Sequence, residues 1–405
     1  MEQPSFALIP SGYNKTTALV YSVIPESGVG DLTLDRSQNT ATRINKDGLI
    51  ESVLADVPRL NYEVTNGVVD SCPHLLLEMN STNMVVQSNN FTTGGWGVFN
   101  VSVTSNNTTS PEGKINASKV TTTSASSHSL YLNLTTTAST VYTFSFFAKR
   151  GTMTDLKYRV YDLSNSGDII APTSYYSQTS NQYWQRISVS FTTPSGCTSA
   201  RVYPVSNSGD TGTMFLYGCQ VEEVNHATSY IPTSGSTQSR ASESCTGAGD
   251  VNTFNSVEGI LYAELKREAT LDSGFRRIVI DNGNSNLQNT VRLGYSSTSN
   301  EIKAVVKVAN VEQCALVFAG LSVTEFRKMA LLYKPNQFEL WVDGFKRQEL
   351  TTTSITFPDN TLNNLSFEQA TGADKLRAKV KDVRYYDTDG MSNTEITNLL
   401  TQLTQ

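Results

Sequence analysis

The chain has 405 residues, 38% of them hydrophobic and 17% charged, and a formal net charge of −6 at pH 7. That length supports two or three domains, each with its own core, and the acidic balance, with no Lys/Arg cluster to offset it, argues against a nucleic-acid or anionic-membrane partner. Ser, Thr, Asn and Gly take the share that globular chains usually give to charged and apolar residues, while aromatic and β-branched residues run throughout, so the composition reads as all-β with many short turns and not as disorder. No run approaches the ~20 apolar residues that a spanning helix needs, so no membrane insertion is expected. The start, MEQPSFALIPSGYNK, lacks the basic residues and apolar core of a signal peptide, and synthesis and folding in a cytosol are expected. The five cysteines, Cys72, Cys197, Cys219, Cys245 and Cys314, are widely spaced, form no CxxC pair, and read as reduced structural residues.

In chain order, residues 1–84 are irregular. Gly28 and Gly30 flank a loose stretch, TATRINKDGLIESV carries an Asp-Gly turn between short apolar runs, and Pro58 interrupts any ladder in DVPRLNYE. This is extended chain with a few short strands, leaning on a neighbour. Residues 85–240 alternate with period two: Tyr142, Phe144, Phe146 and Ala148 share a face, as do Ile187, Val189 and Phe191, and as do Phe215, Tyr217, Cys219 and Val221. Short strands at this spacing, joined by Gly, Asn, Ser and Pro turns, predict an antiparallel sandwich. RASESCTGAGDV, within 240–252, is small and polar and reads as a linker. Residues 253–405 form a second β unit, with strands around Ile278 and Ile280, Met329–Tyr333 and Phe338–Val342. Ser392 three residues before Glu395 is a capping box, and Ile396, Leu399, Leu400 and Leu403 follow at helical spacing. The expected fold is all-β: two antiparallel β-sandwich jelly rolls in tandem after an irregular N-terminal segment, closed by one short C-terminal helix.

Candidate ligand groups are aromatic. Tyr175 and Tyr176, in APTSYYSQTSNQY, fall on a polar loop, where exposed rings suit sugar stacking. In ELWVDGFK, Trp341 lies opposite Phe338, Leu340 and Val342 and beside Glu339 and Asp343; it serves either as a sugar platform or as cover against the helix. Trp96 sits in GGWG, and Trp184 precedes the strand Ile187 to Phe191. Catalytic residues are not expected: Glu264 and Glu268 stand four apart with basic residues between them, and His74, His128 and His226 have no Ser, Cys or metal partner at a recognisable spacing. No cofactor is expected. SNSGD at Ser164–Asp168 and Ser206–Asp210, and IDNGNSN at Ile280–Asn286, are the places for a structural Ca²⁺, but without EF-hand spacing they read as turns.

Three resemblances rest on these segments. KMALLYKPNQFELWVDG (Lys328–Gly344), AKVKDVRYYD (Ala378–Asp387) and the closing TEI helix make residues 253–405 similar to a concanavalin-A-like, laminin-G-type jelly roll, and the phase break between Val380 and Val383 matches that family's bulged strand. SNNFTTGGWG, SPEGKINASKV, VYTFSFFAKR, YWQRISVSFTTPSG and FLYGCQVEEVNHATSYIPTSG give residues 85–240 the look of a carbohydrate-binding-module jelly roll. ALIPSGY, the run from VYSVIPESGVG to LIESV, DVPRLNYE and CPHLLLEMNSTNMVVQSNNF resemble the leader of structural proteins from tailed bacteriophages, especially those of Bacteroidetes-type hosts.

The resemblances imply a virion protein, a head or tail fibre or appendage subunit. Residues 1–84 would dock on other virion proteins, the two lectin-like domains would bind host-surface glycans weakly, and homo-oligomerisation would multiply that affinity. The alternatives are a purely structural decoration that binds no sugar, and a polysaccharide depolymerase.

Overall fold

The computed structural model describes residues 2–10, 13–14, 19–122, 124, 126–269, 274–283, 288–369 and 371–405. The fold is all-β: among the described residues, two antiparallel sandwiches, several short ribbons, and one α-helix at Asn393–Thr404.

The first sandwich pairs two five-stranded sheets. One runs Trp96–Phe99, His128–Thr135, Ser199–Asn207, Lys157–Asp162, Gly167–Ser174; the other runs Val101–Thr109, Ile115–Thr122, Gly212–Glu222, Val141–Arg150, Gln185–Thr192. Tyr142, Phe144, Phe146 and Ala148 all enter the core between them, with Ile187 and Phe191, as the alternation requires. Gly212–Glu222 does not keep a single phase: Met214 and Leu216 point inward, then Cys219 and Val221, while Tyr217 faces outward. The switch sits at Gly218, whose φ of +61° only a residue without Cβ adopts cheaply, beside a register shift against Ser145–Phe147.

The second sandwich stacks Val311–Ala319, Glu301–Val308, Thr290–Tyr295, Arg276–Asp281 and Asn364–Ser366 on a larger sheet centred on Gly259–Lys266 and Ala378–Asp387. The predicted bulge is present: Glu264 pairs with Asp382 and Leu265 with Val380, so Lys381 is extra and both Val380 and Val383 reach the core. The helix has its capping box, and Ile396, Leu399, Leu400 and Leu403 bury against the outer face of the larger sheet. Of the three turn stretches weighed for calcium, Ser164–Asp168 is an Asx turn on Asp162 (2.8 and 3.0 Å to the amides of Ser164 and Asn165). In Ser206–Asp210, Asp210 accepts from the amides of Thr154 and Asp155. Ile280–Asn286 lies partly outside the described residues.

The neighbour on which residues 1–84 lean is this same chain. Phe6–Leu8 pairs with Ala378–Asp387 at Val383–Tyr385, on the edge away from Gly259–Lys266, and His74–Leu77 pairs farther along that same edge at Ala378–Val380, carrying Leu60–Asn61 beyond it. Phe6, Leu8, Val20, Leu32, Leu34, Leu75 and Leu77 fill the second sandwich's core. The stretch read as a linker is built in as well: Ser244–Thr246 pairs with Leu32–Asp35, Ala248 exchanges backbone hydrogen bonds with Leu365, and Cys245 and Ala248 are buried. A small polar segment looks like a linker in sequence because its contribution is backbone, not side chain.

A buried ionic lattice ties these parts together. Glu243 bridges Arg36 (3.3 Å) and Arg59 (2.6 Å), Glu78 bridges Arg59 (2.6 Å) and Arg240 (3.2 Å), and these five side chains are at most 3% exposed. Arg240 also donates to Thr228 and Ser229, whose own partners include Glu222 and Glu78. With Glu222 the lattice holds three arginines against three carboxylates. Burial alone would raise the Glu78 pKa, but Arg240 and Arg59 hold it well below the usual carboxylate range.

Candidate functional site

The two outer faces of the first sandwich differ. On one, Ala117, Phe147, Tyr217 and Tyr230 are covered by Ile44 and Ile50 of the Ala41–Ile44/Ile50–Val53 ribbon. The other face, on the sheet from Trp96–Phe99 to Gly167–Ser174, carries Tyr131, Arg159, Tyr161 and Arg201, all half-buried, with Tyr203 closing the array at 6% exposure.

These residues form a ladder. Arg159-Val160-Tyr161 and Arg201-Val202-Tyr203 lie antiparallel in direct register, so Arg159 opposes Tyr203 and Tyr161 opposes Arg201 while both valines point into the core. Each guanidinium therefore meets two rings: Arg201 lies 4.2 Å from the Tyr131 centroid and 5.9 Å from that of Tyr203, and Arg159 lies 4.7 Å from Tyr161 and 5.5 Å from Tyr203. Tyr131 and Tyr203 are 5.7 Å apart. Polar partners fix the cations: Arg201 Nε donates to Asn133 Oδ1 (2.6 Å), and Arg159 pairs with Asp168. Gly97 makes the array possible, since a Cβ there would sit 2.4 Å from the Tyr131 ring, so the ring can lie across its strand only over a glycine.

At one end of the ladder the face dips into a cavity of about 270 Å³, bordered by Phe99, His128, Lys157, Arg159, Tyr203 and Asn207. Phe99 is 56% exposed there. Aromatic faces offer stacking surface for sugar C–H groups, and guanidinium forks donate in a plane to paired oxygens. The arrangement suits binding. Among the described residues no group of three or more His, Cys, Asp or Glu side chains is placed to hold a metal ion.

The aromatic candidates from the sequence lie elsewhere. Tyr175 is fully buried: the turn Tyr176–Gln178 folds it back, its hydroxyl donates to Pro204 O (2.7 Å), it stacks on Tyr158, and burial pushes its pKa well up. It is a core residue and not a loop platform. Tyr176 is half-buried under the Arg150 guanidinium at 4.6 Å. Trp341 is 6% exposed, packs with the helix residues, and donates to Glu339 Oε2 (2.7 Å), so it is cover and not a sugar platform. Trp96 packs at a tilt against Phe91 and donates to Gln87 O. Glu268 is held by Lys379 (2.8 Å), and burial raises the pKa of Glu264. The ladder does carry a sequence signal: Arg-Val-Tyr occurs twice, and each copy puts its Arg and Tyr on the outward phase.

No family model and no curated protein matches this chain. Among solved structures, it is similar to the CBM22-1 xylan-binding domain of Paenibacillus barcinonensis Xyn10C (20% identity, 36% of this chain and 94% of that one, TM-score 0.28). It is similar to the Ruminococcus gnavus IT-sialidase CBM40 (13%, 37% and 84%, TM-score 0.31). It is also similar to the enzymatically active domain of bacteriophage CBA120 tailspike protein 4 (14%, 34% and 21%, TM-score 0.27). At such identities and overlaps, no ligand or activity passes from those proteins to this chain.

Proposed function

We propose that this chain is a glycan-binding structural subunit of a phage virion, and that the Tyr131–Arg201–Tyr203–Arg159–Tyr161 ladder is its sugar-binding face. The observation that carries the binding reading is the ladder itself: five stacked aromatic and guanidinium groups on an outward sheet face, beside a polar cavity. The virion part is supported by the resemblance of residues 7–91 to phage structural leaders. Because residues 1–84 are integral to the fold, attachment to a particle and assembly with other copies use their outer surface, where Leu54 (69%) and Val68 (68%) are exposed. Single-site affinity on a shallow face is weak, and many copies on one particle raise it to useful avidity.

The test is binding of the artificially multimerised chain to a panel of bacterial polysaccharides, with Tyr131→Ala/Tyr161→Ala beside the parent. The double variant should lose binding about tenfold or more, with an unchanged melting temperature. Equal binding by both proteins would remove the ladder as the site.

A further inference from the structure

A second recess lies on the opposite side of the first sandwich, where three parts of the chain meet. It is a cleft of about 390 Å³, within the ~300–1,000 Å³ range of small-molecule sites. Thr42, Ile44 and Asn61 come from the N-terminal segment, Phe147, Trp184 and Arg186 from the first sandwich, and Glu268 and Lys379 from the second. Trp184 is half-buried, and its indole N–H is already used, donating to Thr109 O (3.0 Å), so what it offers a ligand is the ring.

The charges around the cleft are unequal. Lys379 is matched by Glu63 (2.7 Å) and Glu268 (2.8 Å), and Arg43 by Glu51 (2.6 Å). Arg186 has no carboxylate within 4 Å among the described residues. Of its five N–H donors, one on Nη1 goes to Thr228 O (2.6 Å) and one on Nη2 to Ser145 Oγ (3.0 Å), while the buried Nε has no partner. The guanidinium lies 5.4 Å from the Phe147 centroid, and burial lowers its pKa. Glu222, Glu78 and Glu268 act on it only from beyond hydrogen-bond distance, the latter two from the cleft wall where they are held by Arg59 and Lys379, so a carboxylate arriving in the cleft would supply the direct charged contact that the half-buried guanidinium lacks.

We infer that this cleft is a second binding site, for a sugar ring bearing a carboxylate, with the carboxylate on Arg186 and the ring on Trp184. A hexuronate residue has that chemistry. The inference is independent of the ladder, from which the cleft is separated by the thickness of the sandwich.

The experiment uses the full chain labelled with 5-fluorotryptophan, whose three tryptophans give three ¹⁹F resonances; Trp184→Phe assigns the one of interest. Titration with D-galacturonate should shift the Trp184 resonance saturably and leave Trp96 and Trp341 in place. D-galactose, which lacks the carboxylate, and acetate, which lacks the ring, should bind at least about tenfold more weakly, the factor expected from losing a hydrogen bond to a charged group. Arg186→Gln should weaken galacturonate by a similar factor, and Tyr131→Ala/Tyr161→Ala should not change it. Should Arg186→Gln disturb the fold through Thr228 and Ser145, the comparison of galacturonate with galactose on the parent protein decides. No Trp184 shift with galacturonate, or equal shifts with galactose, would overturn the inference.

Discussion

Replacing Glu243 by glutamine keeps the shape of the side chain and removes one charge from the centre of the lattice. Its carboxylate contacts Arg36 at 3.3 Å and Arg59 at 2.6 Å and accepts from the Glu78 amide at 2.9 Å, and neither it nor the two arginines has any solvent exposure. Removing one member of a buried ion pair costs about 3–5 kcal/mol, because the remaining charge stays buried without compensation. Glutamine keeps one acceptor oxygen, which places the expected loss near the low end, about 3 kcal/mol. Equilibrium urea denaturation of the full chain, followed by tryptophan fluorescence, reads it as a lower midpoint at constant slope. Limited proteolysis should show new cleavage within residues 36–59, which the lattice pins. The same change at Glu51, whose pair with Arg43 is partly exposed, should cost no more than about 1 kcal/mol. A Glu243→Gln loss below about 1 kcal/mol, with no new cleavage, would refute the view that the lattice binds the N-terminal segment to the rest.

Other consequences are as direct. His74 is buried, faces Asn61 (3.2 Å) and Phe326, and burial followed by the Lys379 charge lowers its pKa from 6.5 to about 3. The unfolded chain binds the proton first, so stability should be full above pH 6.5 and fall between 6.5 and about 3; His74→Gln should flatten that fall, and an unchanged pH profile would contradict it. Trp341→Ala should cost about 3–5 kcal/mol by opening a cavity against the helix and leave polysaccharide binding intact; a binding loss without destabilisation would restore it as a sugar platform. Gly97→Val should displace the Tyr131 ring and weaken polysaccharide binding; normal binding would show that the ring position is immaterial. Removing residues 1–84 should expose core and leave an insoluble product, whereas a soluble, cooperatively folding 85–405 fragment would contradict their integration.

Much of the fold was legible in the sequence because side-chain periodicity records which face is buried. The Tyr142–Ala148 alternation, the bulge between Val380 and Val383, and the capping box at Ser392 are local patterns, and each appears as read. What local pattern does not encode is partnership across the chain. Phe6–Leu8 looks like a stray apolar triplet until Ala378–Asp387 is beside it, and Arg36, Arg59 and Arg240 look like surface charges until Glu78 and Glu243 are brought to them. The site suffered from the same blindness. Tyr175 sits in a polar stretch, which suggests exposure, yet a single 3₁₀ turn carries it into the core. The ladder needs two Arg-Val-Tyr copies in register, and only the pairing of Lys157–Asp162 with Ser199–Asn207 sets them so.

Whether the tyrosine–arginine face binds glycans can be read on whole cells. Labelled multimers of the chain would be incubated with bacteria carrying surface polysaccharide, with and without that polysaccharide free in solution. Binding should be saturable, abolished by free polysaccharide and lost in Tyr131→Ala/Tyr161→Ala. Absence of binding by the multimer, or binding that neither competitor nor substitution affects, would contradict glycan binding by this face and leave it as scaffold.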